Sequence, residues 1–429
     1  MNPNAVELNT ILEKEHPHVY DMLSDLGKHM FFPKGILTQT AEAKEKAHRL
    51  NATIGIAKEQ DAPMYLGVMQ DQLDQLAPED VYPYAPPAGK KELREAWKDK
   101  LVEDNRSLTS DHISLPIATN AITHGLSIVA DLFCDAGDTV ITPDKLWGNY
   151  RLTFGTRRGA SFSHYKFFNE EDTFNVAGFS EALDQAQGDK LIVILNFPNN
   201  PTGYTPHEEE VKGIIQSLKA KAEAGQKIVV VADDAYFGLF YEDSLTESVF
   251  AQLINIHPHI LPIKLDGATK EEFAWGLRVG FITFPFLSEG TNLALEKKVN
   301  GIIRGTISSG PHPSQSMVLQ ALKNPEFRAQ QREKENILKR RALKVKEVLS
   351  DAKYDHAWNV YPFNSGYFMC LELLKVNAET LRTYLLDEYG VGTIAINDTD
   401  LRIAFSCVEE EDLPEMFDII YQAATELEK

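Results

Sequence analysis

The sequence predicts an α/β fold in which a large, mostly parallel sheet of seven-stranded type is flanked by helices, with a smaller α+β domain beside it. Three observations carry this expectation. Residues 190–197 (KLIVILNF), 227–232 (KIVVVA) and 260–265 (ILPIKL) are nearly continuous apolar runs, as strands buried on both faces should be. Strand and helix patterns alternate from about residue 115 to 285, which implies right-handed crossovers between parallel strands. Beyond residue 311 a long charged helix gives way to short strands and helices, as in a separate α+β unit.

Taken in order, residues 1 to about 50 are mixed and weakly periodic. Residues 31–35 (FFPKG) read as a turn and 41–49 as a charged helix, an arm with a first piece of the smaller domain. Residues 51–57 (NATIGIA) read as a short strand in which Gly55 permits close backbone approach. In residues 82–98 (YPYAPPAGKKELREAWK) a rigid loop carries Tyr84, and Leu93, Ala96, Trp97 and Leu101 mark the helix after it. Residues 117–120 (IATN) lead into an apolar helix that Thr119 or Asn120 would cap and Gly137 would end. Free N–H groups at such a helix start favour a phosphate. Trp147 follows the short strand 139–142, placed for the core, an interface or a flat ring.

The run 190–197 ends in PNNPTG (198–203), where prolines and a glycine around asparagines force a fixed, non-helical loop. A helix follows over 208–224. The run 227–232 leads straight into Asp233-Asp234-Ala235-Tyr236. An acid at the carboxyl end of a buried strand lies where open α/β sheets bind ligands. Residues 287–310 are helical, with Arg304 near the end among small residues, and the charge run of the helix 326–351 reads as a solvated face. A strand over 361–371, a helix over 378–389, a strand over 401–405 with Arg402 and a helix over 409–428 complete the chain. The expected division is 1–60 (arm and part of the small domain), 61–310 (large domain) and 311–429 (small domain).

Composition narrows the function. The 429 residues allow two or three domains with a large core, and 43% hydrophobic with 25% charged residues is ordinary for a soluble globular chain. A net charge of −20 argues against nucleic-acid or anionic-membrane surfaces, which want clustered Lys and Arg. The first ten residues, MNPNAVELNT, have no apolar core, and no run approaches the roughly 18 residues of a membrane span, so a cytoplasmic protein is expected. Cys134, Cys370 and Cys407 are widely separated, with neither a disulfide framework nor metal-ligand spacing.

The most informative stretch is residues 264–284, KLDGATKEEFAWGLRVGFITF. Lys270 follows a buried strand, where an isolated ammonium is costly. Burial and a cationic neighbour make such an amine a nucleophile towards aldehydes. Arg278 is placed to grip a phosphate bidentately. Together they describe a site for pyridoxal phosphate.

Four motifs, in one order from about Gly55 to Phe405, extend this: YAPPAG with KKELREA, NFPNNPTG, ADDAY, and ATK with GLRVG. Together they resemble the class I/II aminotransferases, the fold-type I pyridoxal-phosphate enzymes. The resemblance implies roles. Lys270 would bond to the cofactor aldehyde and move the substrate proton. Asp233 would pair with the ring nitrogen and keep it protonated. Tyr236 and Asn200 would donate to the ring oxygen, and Trp147 would stack on the ring. Arg278 with the N–H groups of Ala121, Ile122 and Thr123 would hold the phosphate, joined by Tyr84 from the neighbouring subunit of a homodimer. Arg402, with Gly55 and Asn200, would bind the substrate, the arginine clamping its α-carboxylate. Arg304 would read a distal carboxylate across the dimer interface, or else form an interface ion pair. Gly267 and Ala121 depart from the family's usual Ser and Gly or Ser, and Glu271 and Glu272 after the lysine are unusual.

The activity implied is ping-pong transfer of an amino group from an L-amino acid, aromatic or acidic, to a 2-oxo acid such as 2-oxoglutarate. The alternatives are a β/γ-eliminating lyase on the same scaffold, or a non-catalytic cofactor-binding regulator. The regulator's usual DNA-binding module does not fit the roughly 50 non-basic residues ahead of the fold.

Overall fold

The apolar runs form the middle of a seven-stranded sheet in the computed structural model, which describes residues 1–33 and 35–428. The turn expected at 31–35 includes Lys34, which lies outside the described residues. The strands are β1 (Ile117–Thr119), β2 (Thr139–Pro143), β3 (Ser161–Tyr165), β4 (Lys190–Asn196), β5 (Lys227–Asp233), β6 (Ile260–Asp266) and β7 (Gly280–Thr283). Their spatial order is β1-β7-β6-β5-β4-β2-β3. β7 runs antiparallel to β1 and β6, and every other neighbouring pair is parallel. Parallel neighbours need crossovers, and helices such as Glu208–Glu223, between β4 and β5, supply them. β3 (SFSHY) has no apolar run because it is the sheet's edge, and only Tyr165 in it is buried.

This topology brings the carboxyl ends of β4, β5 and β6 to one edge. Asn196 is in register with Asp233, and Asp233 with Leu265. The loop after β6 carries Lys270 past the same edge.

A second sheet holds β8 (Trp358–Val360), β9 (Met369–Leu373), β10 (Ile394–Ala395) and β11 (Asp400–Ile403) in the order β8-β9-β11-β10, all antiparallel. The helices Phe327–Leu349 and Ala378–Tyr389 both pack on Leu413–Leu427 beside it. The N-terminal stretch joins this body: Leu50–Asn51 pairs in parallel with Val391–Gly392, and the Gln39 side chain bonds both backbone groups of Ala395. No described helix is long and apolar enough to cross a membrane.

Three local expectations change. The strand expected at 51–57 is confined to Leu50–Asn51, because later backbone groups bond elsewhere: Ala404 N–H donates to Ala52 O, and Ser406 Oγ to Ile56 O. The helix Ala121–Phe133 ends before Gly137, and its N-cap residue, Asn120, makes no side-chain cap; instead its N–H donates to His124 Nδ1 at 3.1 Å. The charged helix Phe327–Leu349 is not solvated all along one face. Arg341 is 1% exposed, donating to Lys58 O (2.7 Å) and Ser406 O (2.8 Å) and pairing with Glu409.

A buried ion network explains the two glutamates after Lys270. Lys100, on the helix Lys91–Asp104, lies 2.8 Å from Asp104, 3.1 Å from Glu271 and 3.4 Å from Glu272. Next to it Lys264 pairs with Asp234, and Trp97 Nε1 donates to Asp266 at 3.2 Å. The network ties the Lys270 loop to a helix on the other side of the sheet edge. Burial pushes the Glu271 carboxyl up to about 7, and burial with Glu271 beside it pushes Glu272 well above the carboxylate range. An acid whose folded-state pKa is raised contributes stability at low pH that is lost as pH rises. Glu272→Gln imitates the protonated form. As pH rises above about 5 its melting temperature should therefore gain progressively on wild type; a difference that does not vary with pH would show that Glu272 titrates normally.

Candidate active site

Asp233 ends β5, 2% exposed, because an apolar strand carries it into the interior. Tyr150 Oη donates to its Oδ2 at 2.5 Å, Ala235 N–H donates to its Oδ1 at 3.2 Å, and Asn196 Nδ2 holds its backbone carbonyl at 2.9 Å. Burial pushes the carboxyl up to about 6, opposed by the Tyr150 hydrogen bond and by Lys270. Its neighbour Asp234 turns to Lys264 and Ser248, so the two adjacent acids have different partners.

Lys270 lies one loop beyond β6, its Nζ 4.9 Å from the centre of the Tyr236 ring. Its backbone carbonyl accepts from Tyr367 Oη at 2.8 Å. Burial lowers the amine to about 8; Asp233 works against that shift and Arg278 with it. Tyr236 is buried, and burial pushes its phenol up.

Three segments crowd together beside the amine. Ala121, opening the helix Ala121–Phe133, has φ +63, and Arg278 has φ +56. A Cβ on Gly280 would lie 2.7 Å from the Ala121 carbonyl carbon, and one on Gly267 would lie 2.5 Å from Val279 O. Gly267 is therefore required by close backbone approach, which accounts for the missing serine there. The first N–H groups of the helix have no partner within it and face outward from its start. With Arg278 they form a cationic concavity made largely of backbone.

On the opposite wall Arg402 projects from β11, 2% exposed. Its Nη1 donates to Asn200 Oδ1 (3.1 Å) and its Nη2 to Thr53 O (2.8 Å), with the guanidinium 4.1 Å over the Phe368 ring. Its Nε is buried without a partner, and no carboxylate among the described residues pairs with it. A buried cation left this way is costly unless an anion arrives. Asn200 is fixed by the 198–203 loop, where Gly203 takes φ +74 and a Cβ would lie 2.0 Å from Phe368 O.

These groups line one cavity of ≈ 280 Å³, near the lower end of the roughly 300–1,000 Å³ usual for ligand sites. It brings together Lys270, Asp233, Tyr236, Asn200, Trp147 and Arg278. Ala121, Ile122, Thr123, Gly55 and Arg402 also line it. A Cβ on Gly55 would make only ordinary contact, 3.6 Å from Phe368, so this glycine leaves room rather than allowing close approach. Tyr84 is 91% exposed, and Arg304 is exposed with Nη1 on Ser308 Oγ at 2.5 Å; neither lines the cavity of its own protomer.

Sequence reasoning passed over Tyr150, Asn196, Thr269, Phe368 and Ile36, which also line it. Asn196 carries a readable signal, a polar residue at the carboxyl end of a buried parallel strand. Tyr150 lies three positions after Trp147, where the loop turns into the helical segment 149–158. Ile36 has no signal, since it arrives from a distant helix, Ile36–Lys46.

Comparison with known proteins agrees with this fold. Residues 58–420 match the family model for aminotransferase class I and II. A probable aspartate/prephenate aminotransferase of Aquifex aeolicus is 25% identical over 359 residues, 78% of this chain and 82% of the relative. The crystal structure of an aminotransferase from Anaerococcus prevotii superimposes with a TM-score of 0.83 at 25% identity, covering 94% of this chain and 98% of that one. A kynurenine aminotransferase from Pyrococcus horikoshii shares the fold, with a TM-score of 0.80 at 16% identity over 96% of this chain and 98% of that one. The chain belongs to the aminotransferase class I and II family and is an enzyme of the transaminase class.

Proposed function

We propose that this transaminase holds pyridoxal phosphate in the cavity and moves an amino group from an aromatic or acidic L-amino acid to a 2-oxo acid such as 2-oxoglutarate. One observation carries the reading: an amine lowered by burial, a buried carboxylate and a buried, unpaired arginine all line one cavity. Members of the family depend on pyridoxal phosphate. The donor set suits that group, with a nucleophile for its aldehyde, an acid for its ring nitrogen and a backbone cradle for its phosphate. Bound there, the cofactor supplies an aldehyde that carries the amino group and a ring that takes up the electron pair left at the substrate α-carbon.

The chain's own residues do the rest. Lys270 would hold the cofactor at its aldehyde carbon, with loss of water, and, once released, would take the α-carbon proton. Asp233 keeps a proton on the ring nitrogen. Tyr236 and Asn200 would donate to the ring oxygen, and Trp147 would cover a ring face. Arg278 and the N–H groups of Ala121, Ile122 and Thr123 hold the phosphate. Arg402 clamps the α-carboxylate bidentately, satisfying its orphaned Nε–H.

Ile36, Gly55 and Phe368 give the cavity an apolar part in a single protomer, with Phe368 against Arg402 and Gly55 beside Phe368. That favours an aromatic donor. An acidic donor would need a cation from a second subunit, and Arg304 is the candidate. We infer a cytoplasmic homodimer in which Tyr84 and Arg304 face the neighbouring cavity, with domains divided at about residues 60 and 310.

Lys270→Ala should lower transamination by on the order of 10²–10⁴-fold; purified variant working at the wild-type rate ends the assignment. Because the nucleophile is the neutral amine, uptake of pyridoxal phosphate by apoprotein, followed by absorbance, should quicken about tenfold per pH unit up to about 8 and then level off. Uptake that goes on quickening well past pH 8 without levelling would mean that Lys270 has an ordinary amine. Arg304→Ala should leave kcat/KM for phenylalanine within about twofold while cutting that for aspartate roughly tenfold or more, as loss of a charge-assisted hydrogen bond requires. Equal effects on both donors would remove Arg304 from substrate reading.

A further inference from the structure

Tyr150 stands in the first turn of the helical segment 149–158 that follows β2, three residues after Trp147, whose ring it meets edge-on at 5.6 Å and 87°. It is 1% exposed and lines the cavity. Its hydroxyl donates to Asp233 Oδ2 at 2.5 Å, the one side-chain hydrogen bond this carboxylate receives among the described residues. The charged and titratable groups facing Asp233 are Tyr150, Lys270, Asp234 and Tyr236. Asp234 is committed to Lys264, and no hydrogen bond joins Tyr236 to the acid. Burial raises the Asp233 carboxyl, and the Tyr150 hydrogen bond is the largest effect that opposes it, ahead of Lys270. A phenol donating to a carboxylate stabilises its ionised form and weakens its hold on a further proton.

We propose that Tyr150 is a positioning residue which, through its hydrogen bond to Asp233, keeps the shared proton on the cofactor's ring nitrogen rather than on the acid. The proposal rests on the reading of this cavity as a pyridoxal-phosphate site. The proton has two positions, on the ring nitrogen facing a carboxylate or on a carboxylic acid facing a neutral ring. A donor that lowers the acid's proton affinity favours the first, in which the ring is the stronger electron acceptor. Tyr150 touches neither substrate nor reacting atom in this arrangement. Its packing against Trp147 also couples the residue on the ring face to the acid at the ring nitrogen.

The test compares wild type, Tyr150→Phe, and protein carrying 3-fluorotyrosine at position 150, a stronger donor of the same shape. In apoprotein labelled with ¹³C at aspartate carboxyls, with Asp233→Asn to assign the signal, the Tyr150→Phe carboxyl should titrate about one pH unit higher than wild type. In protein loaded with ¹⁵N-labelled pyridoxal phosphate, the ring-nitrogen resonance should move towards the neutral-pyridine value in Tyr150→Phe. It should move the opposite way with 3-fluorotyrosine, which keeps the comparison decisive if the phenylalanine variant folds poorly. Opposed shifts in the two proteins support the proposal. Unchanged resonances in a wild-type-like, cofactor-loaded variant overturn it and reduce Tyr150 to packing. Wild-type protein that takes up no pyridoxal phosphate overturns the underlying site reading instead.

Discussion

An amine and a carboxylate face one cavity from neighbouring strand ends, Lys270 after β6 and Asp233 at the end of β5, both shifted by burial towards their uncharged forms. A parallel sheet is what makes this possible. Adjacent parallel strands end at the same edge, so residues 37 positions apart in sequence need no long loop to meet. The proposed ring pocket, phosphate cradle and carboxylate clamp are arranged around that pair. Arg278 and the start of the helix Ala121–Phe133 lie beside the amine, and Arg402 closes the cavity from the second sheet.

Three lysines near this edge show why only Lys270 is left with a lowered pKa. Burial opposes the charge on all three. Lys264 has Asp234 and Asp266, and Lys100 has Glu271, Asp104 and Glu272; these carboxylates hold both ammoniums above the ordinary range. Lys270 has Asp233, opposed by Arg278, and burial prevails. The same chemistry thus gives structural ion pairs at two positions and an amine of lowered basicity at the third. The acids next to Lys270 in sequence do not reach it, because Glu271 and Glu272 turn to Lys100 instead. Sequence adjacency misleads there, and the burial of the helix Lys91–Asp104 against the sheet edge resolves it.

How much of this was legible in the sequence follows from how each part is made. β4, β5 and β6 announce themselves because burial on both faces leaves continuous apolar runs. The residues at their ends, Asp233, Asn200 and Lys270, were legible because polar groups after such runs are costly without a role. β3 was not legible, since an edge strand needs no apolar face. Nor was the burial of Arg341, whose partners are two backbone carbonyls and Glu409 from far along the chain. Tyr150 was hidden for a related reason: its meaning lies in the acid 83 positions away that accepts its proton. Ile36 reached the cavity through packing of the N-terminal stretch on the second sheet, which no local pattern encodes.

The departures at Ala121 and Gly267 follow from the same crowding. An alanine in the left-handed region costs roughly 1–2 kcal/mol, so the surroundings must impose that conformation. They do so at close range, because Gly280 on β7 leaves no room for a Cβ against Ala121, and Gly267 leaves none against Val279 and Gly280. A serine at 267 would force the β6 loop away from β7 and carry Lys270 with it. The backbone of the helix start is fixed by strand contacts rather than by its own side chains. The proposed anion cradle, built from N–H groups, would therefore tolerate alanine where glycine would be less strained, provided that both crowding positions stay glycine.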